Sequence, residues 1–116
     1  MFLREILCEI RFPEQWRYLA RAGAEVFVYL TNAVGHAPMA PVWRSHLSSR
    51  AAENQRFVLG TNNAHPKQNC PSMIVAPGGQ VLGEALSPAP ESKHCELDLS
   101  QVSDWYISQM RDDVAG

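Results

Sequence analysis

The chain has 116 residues, 46% hydrophobic and 19% charged, which suits one small globular domain or part of a larger one. Ten Lys+Arg stand against twelve Asp+Glu, a net charge of -2, and no basic block breaks the balance, so nothing offers a nucleic-acid or acidic-membrane footprint. Three cysteines, Cys8, Cys70 and Cys95, are odd in number and widely spaced, against a disulfide framework or a zinc knuckle, and no apolar run is long enough to span a bilayer.

Residues 3–8 read as a short strand with an abrupt start. Phe12-Pro13-Glu14 opens a helix, because proline suits the first helical position. Trp16, Leu19 and Ala20 share one face at helical spacing, and Gly23 is a natural stop. Glu25 to Leu30 is apolar at nearly every position, the pattern of a strand covered on both faces. Strand, helix and strand with tight joints predict a parallel βαβ unit. A loop with Asn32, Gly35 and Pro38 follows, then a helix over about Pro41 to Gln55 with Trp43, Leu47 and Ala51 one turn apart. Phe57-Val58-Leu59 is a third strand, and Thr61 to Cys70 a polar loop. Ser72 to Val75 and Gln80 to Leu82 flank Pro77-Gly78-Gly79, a hairpin signal. After a Pro/Ser-rich connection, Glu96 to Leu99 reads as a last strand, and Ser100 as the cap of a closing helix through Trp105 and Met110. The total is about six strands and three helices in an α/β chain. Its first strand lacks a predecessor, as if the sequence began inside a sheet.

Three stretches resemble the nitrilase superfamily of carbon–nitrogen hydrolases, in that family's order. Cys8-Glu9-Ile10-Arg11-Phe12-Pro13-Glu14 with Leu19 to Val26 resembles the nucleophile strand, its elbow and the next βα unit. Trp43 to Gln55 resembles the helix carrying "W…RA.EN". Pro71 to Leu82 resembles the "P.G" hairpin. The similarity covers almost all of residues 1–116. It implies half of a four-layer α-β-β-α nitrilase-type sandwich, the rear half. The implied chemistry is attack of a cysteine thiolate on an amide or nitrile carbon, with a glutamate as base and a lysine stabilising the oxyanion. In the family those groups precede the cysteine. Only seven residues precede Cys8, and Arg4 and Glu5 lie too close to fill those roles.

The resemblance makes Cys8 the candidate nucleophile. Counting back from Glu14, however, the usual slot falls on Leu7, and a one-residue offset on a strand turns a side chain to the opposite face. Either a residue is missing near the chain start and Cys8 is the nucleophile, or Leu7 fills the slot and the site is dead. Without the resemblance, Cys8 is simply a small buried apolar group. Arg11 and Glu14 read alone as exposed charges at a helix start; the resemblance implies that they anchor the elbow. Arg50 and Glu53, three apart, read alone as a surface ion pair of small value. The resemblance implies a partly buried structural pair near the site, with Glu53 not the catalytic base. Asn32 and Ala33 follow a buried strand at its C-terminal end, which favours pocket lining over a plain turn. His36, His46, His65 and His94 show no metal-ligand spacing, and neither metal nor cofactor is expected. Trp16 and Trp43 are assigned to the core.

The resemblance thus implies a hydrolase of a small linear amide, carbamoyl or nitrile compound, inactive as this truncated chain. The rival is a pseudoenzyme fragment that binds or oligomerises through its exposed sheet. No nucleic-acid or membrane partner is expected. A cytoplasmic setting follows from the reduced thiols and from Glu5, which sits where a signal peptide would be apolar. A homo-oligomer is implied by the family's habit of dimerising near the nucleophile helix.

Overall fold

A computed structural model describes residues 3–7, 10–31, 39–62, 70–85 and 90–109. Five strands form one sheet in the order β1-β2-β3-β4-β5, which is also the chain order. They are β1 (Leu3–Leu7), β2 (Val26–Leu30), β3 (Phe57–Thr61), β4 (Ser72–Val75) and β5 (Val81–Ala85). The first three run parallel, and β4 and β5 return antiparallel. Two helices, α1 (Pro13–Arg21) and α2 (Met39–Asn54), are the crossovers between the parallel strands. The result is one α-layer on one β-layer, half of the four-layer sandwich.

Local chemistry explains the boundaries. Pro13 stands at the start of α1, where its missing N–H costs nothing. The helix ends where the Ala22 and Gly23 amides donate back to Tyr18 and Ala20, with Gly23 at φ +106°. Helix α2 begins at Met39, two residues before the expected start, and accommodates Pro41 in its first turn. The β4–β5 hairpin turns through Pro77-Gly78-Gly79; Gly79 takes φ +92°, and a Cβ there would lie 3.4 Å from the Ala52 Cβ of α2.

The core lies between sheet and helices. Trp16 of α1 meets Phe27 edge-on at 5.2 Å and Tyr29 at 5.6 Å, and Tyr29 in turn meets Trp43 of α2 at 5.7 Å. This aromatic chain fastens both helices to β2. Leu47, Ala51, Val58, Met73 and Val75 complete the buried cluster. Both tryptophans are therefore core residues. Val26, Phe57 and Ala76 form a second cluster on the sheet's far face, away from the helices, under Leu97, Leu99 and Val102.

Two expectations fail at the C-terminal end. Glu96 to Leu99 is not a strand: it runs beside the sheet without ladder bonds, and its apolar residues pack flat on the far face. Ser100 caps no helix. Asp98 accepts from the Ser100 amide at 3.0 Å, and only short 3-10 turns follow, Leu99–Gln101 and Ile107–Gln109. A pattern of alternating apolar residues records which side is buried, not whether a strand edge is there to bond. Among the described residues the tally is accordingly five strands and two α-helices.

Candidate functional site

The three parallel strands end level with one another. Leu7, Leu30 and Thr61 share a register across β1, β2 and β3, and the Thr31 amide extends the ladder to the Thr61 carbonyl at 3.1 Å. Strand C-termini of open α/β sheets are where ligands bind. The chain continues from these ends into Cys8, into Asn32 and Ala33, and into Asn62. Cys8, Asn32 and Ala33 lie outside the described residues, so only their points of departure are fixed.

Asn62 is the residue that sequence reasoning missed. Its amide donates to the Ser72 hydroxyl at 2.9 Å, and its side-chain Nδ2 donates to the Cys70 carbonyl at 2.9 Å. These bonds tie the end of β3 to the start of β4. The signal was in the sequence as a repeated pair: Thr31-Asn32 after β2 and Thr61-Asn62 at the end of β3. A groove of about 400 Å³ opens here on the far face, lined by Thr61, Asn62, Ser72 and Ile74 and walled by Lys93 and His94. Cys70, just behind, is buried, and its desolvation pushes its thiol above the usual range.

The charged residues singled out from the sequence gather on the helix layer instead. Arg50 is buried, and its Nη1 stands 3.4 Å and 3.5 Å from the two Glu53 carboxylate oxygens. Arg17 Nη2 donates to the Glu53 backbone carbonyl at 2.7 Å. Burial nevertheless holds the Glu53 carboxyl above its usual range, because desolvation outweighs the attraction of Arg50 and Arg17. Arg11 and Glu14 have exposed side chains. Their fields reach α2: Glu14 disfavours ionisation of Glu53, and Arg11 disfavours protonation of His46. Glu14 and Glu53 also line a larger hollow of about 610 Å³ with Arg17, Tyr18 and Arg21. That hollow is on the outer helix layer, away from the strand ends. Of the two, the smaller groove is the better candidate for chemistry, since the end of the parallel strand β3 lines it. Among the described residues no cluster of three His, Cys, Asp or Glu could hold a metal ion, and no helix is long and apolar enough to cross a membrane.

The family model for carbon–nitrogen hydrolases matches residues 4–106. The chain belongs to the carbon–nitrogen hydrolase family. This family member is 34% identical over 108 residues to the "Hydrolase in agr operon" of Staphylococcus aureus, covering 87% of this chain and 40% of that protein. It is 39% identical over 104 residues to the (R)-stereoselective amidase of a Pseudomonas species, covering 84% of this chain and 36% of that one. Among solved structures, it superposes on the amidase from Nesterenkonia sp. AN1 with a TM-score of 0.77 at 27% identity, covering 97% of this chain and 43% of the amidase. A mutant of that amidase carries the acetamide moiety of fluoroacetamide covalently on its active-site cysteine. The 116 residues thus span about two fifths of the relatives they match.

Proposed function

We propose that these residues supply the nucleophile-strand half of a thiol amidohydrolase acting on a small linear amide, carbamoyl or nitrile compound. The observation that carries this reading is the level ending of β1, β2 and β3, with Cys8 the next residue in the chain after β1 and a groove at the end of β3 by Asn62 and Ser72. In the proposed reaction the thiolate attacks the amide carbon and the carbonyl π electrons move to oxygen. Collapse of that intermediate expels the amine, which takes up a proton, and leaves a thioester. Water then adds to the thioester and releases acid and thiol. Residues 1–7 contain no lysine, and their one glutamate, Glu5, lies on β1 itself. The proposal assigns the base and the oxyanion-stabilising cation to groups ahead of the nucleophile, a place where residues 1–7 offer neither, and we expect no turnover from residues 1–116 unaided. Association of copies through the α1 face is part of the proposal, as is a reducing compartment.

A second reading, a binding module without chemistry, is favoured by one observation: Leu7, not Cys8, falls in the slot counted back from Glu14. One experiment separates the two. The protein is treated with fluoroacetamide at neutral pH, and adducts are mapped by peptide mass, with the exposed Cys95 as internal reference. Faster modification of Cys8 than of Cys95 is the expected result, because the N-terminus of α1 begins five residues later and favours the thiolate. Equal rates would hand the case to the binding module. Ammonia release from simple amides by these residues alone would overturn the half-site reading.

A further inference from the structure

We propose that residues 97–107 form a strap that opens as a unit separate from the rest of the fold, plugged into a guanidinium socket made by Arg56. Arg56 stands between α2 and β3 and is only 2% exposed. The body of the fold holds it on one side: Nε donates to the Ala24 carbonyl at 2.6 Å, Nη1 to the Asn54 carbonyl at 3.1 Å, and Nη2 to the Ala20 carbonyl at 3.3 Å. These acceptors come from the end of α1, the joint between α1 and β2, and the end of α2. They fix the guanidinium plane whether or not the strap is present. On its other side the same group receives the strap, with Nη1 on the Ser103 carbonyl at 2.5 Å and Nη2 on the Asp104 carboxylate at 2.6 Å.

The neighbouring Gln55 adds two contacts. It takes the left-handed conformation, φ +52°, and this turn presents both its carbonyl and its side chain to the strap. The Ser103 amide donates to the Gln55 carbonyl at 3.4 Å, and the Tyr106 amide to its Oε1 at 3.1 Å. The strap crosses the sheet at this point. Before it, Leu97, Leu99 and Val102 cover Val26, Phe57 and Ala76 on the far face; after it, Ile107 packs against the helix-side core.

The asymmetry of the socket is what makes the strap separable. When the strap leaves, every Arg56 nitrogen keeps a carbonyl acceptor, and water replaces Ser103 and Asp104. A buried cation stripped of all its partners would make opening prohibitive; this one is not stripped. Asp104, 74% exposed, is the part of the plug that can be removed without touching the core. In the open form the far-face cluster of Val26, Phe57 and Ala76 loses the cover of Leu97, Leu99 and Val102.

The test is hydrogen exchange of the full chain, wild type against Asp104→Ala and Gln55→Ala. In the wild type, strap amides exchange more slowly than the same sequence as a free peptide. Each substitution speeds exchange in peptides covering 97–107 by roughly tenfold, the usual weight of a hydrogen bond to a charged or buried group. Exchange in β2 and β3 stays unchanged. Chymotrypsin cleavage after Trp105 and Tyr106 rises in proportion, since cleavage follows the open population. The proposal is overturned if β2 and β3 accelerate by the same factor, if the strap rate does not respond to Asp104→Ala, or if the wild-type strap already exchanges like a free peptide.

Discussion

Gly60 of β3 is the residue immediately before Thr61 and Asn62, and it lies under Leu47 of α2. A Cβ on Gly60 would stand 2.9 Å from Leu47 Cδ1 and 3.4 Å from Cδ2. The first distance is below what real contacts tolerate, but the clashing atom is the end of a branched side chain. Gly60→Ala therefore forces Leu47 off its rotamer, a cost of about 1–2 kcal/mol. The lost backbone freedom of the unfolded glycine offsets about 0.5 kcal/mol of that. Leu47 is fully buried, so Leu47→Ala costs about 3 kcal/mol for transfer and cavity together. It also removes the two methyl groups that the new Cβ would strike. In the Leu47→Ala background, Gly60→Ala is then expected to be neutral or to stabilise by about 0.5 kcal/mol. The effect of one substitution reverses sign with the other, giving a coupling of about 1–2 kcal/mol. Urea unfolding of wild type, both single variants and the double variant measures it. Equal loss from Gly60→Ala in both backgrounds would refute the claim that helix α2 sets the height of β3 at its site end.

Two further outcomes follow from single contacts. Trp43 Nε1 donates to the Pro71 carbonyl at 2.9 Å, and Pro71 is fully buried, so Trp43→Phe strands that oxygen. The expected loss is about 1–2 kcal/mol in the unfolding midpoint, with faster amide exchange at Ser72, and an unchanged midpoint would contradict it. His46 is held below its ordinary pKa of 6.5 by burial first, then by Arg50 and Arg11. The unfolded chain thus takes up its proton more readily than the folded one. The stability this contributes is complete above pH 6.5 and is lost as pH falls through the lowered folded value. Thermal midpoints at pH 7.5 and pH 5 should converge in His46→Gln relative to wild type. An identical pH slope in the two proteins would dismiss the effect.

Much of the sheet was legible because its signals are local. The run Val26 to Leu30 reads as a covered strand from its side chains alone, and Pro77-Gly78-Gly79 turns where the glycine with positive φ allows it. Trp43, Leu47 and Ala51 declare the inner face of α2 by spacing. What failed to show depends on where distant pieces meet. Glu96 to Leu99 carries a strand pattern, but no neighbouring edge offers it a ladder. Arg56 looks like any strand-flanking arginine, and nothing in its neighbours foretells that the ends of α1 and α2 converge on its guanidinium. The Arg50 and Glu53 pairing was visible as spacing, while the burial that lifts the Glu53 carboxyl was not.

The identity of the nucleophile position can be argued one step further from the ladder. Side chains along β2 alternate: Phe27 and Tyr29 join the helix-side core, while Val26 belongs to the far-face cluster and Leu30 shares its phase. Position 7 is in register with Leu30, and Leu30 is 38% exposed. The groove by Asn62 and Ser72 opens on that same far face. Leu7 is the last residue of β1 paired in this ladder, and on a strand two neighbouring positions face opposite sides, so positions 7 and 8 are not interchangeable as nucleophile slots. On the second reading, in which Leu7 fills the nucleophile slot, Leu7→Cys should acquire a fluoroacetamide adduct on the introduced thiol faster than on Cys8 of the same molecule. Peptide mass mapping distinguishes the two positions if the variant is compared with Leu7→Ser, which leaves Cys8 as the one cysteine adjoining β1 in the sequence. Preferential modification of Cys8 in Leu7→Cys would mean that the chain leaves the ladder after β1 in a way that brings Cys8 to the groove, and the argument from register would fall.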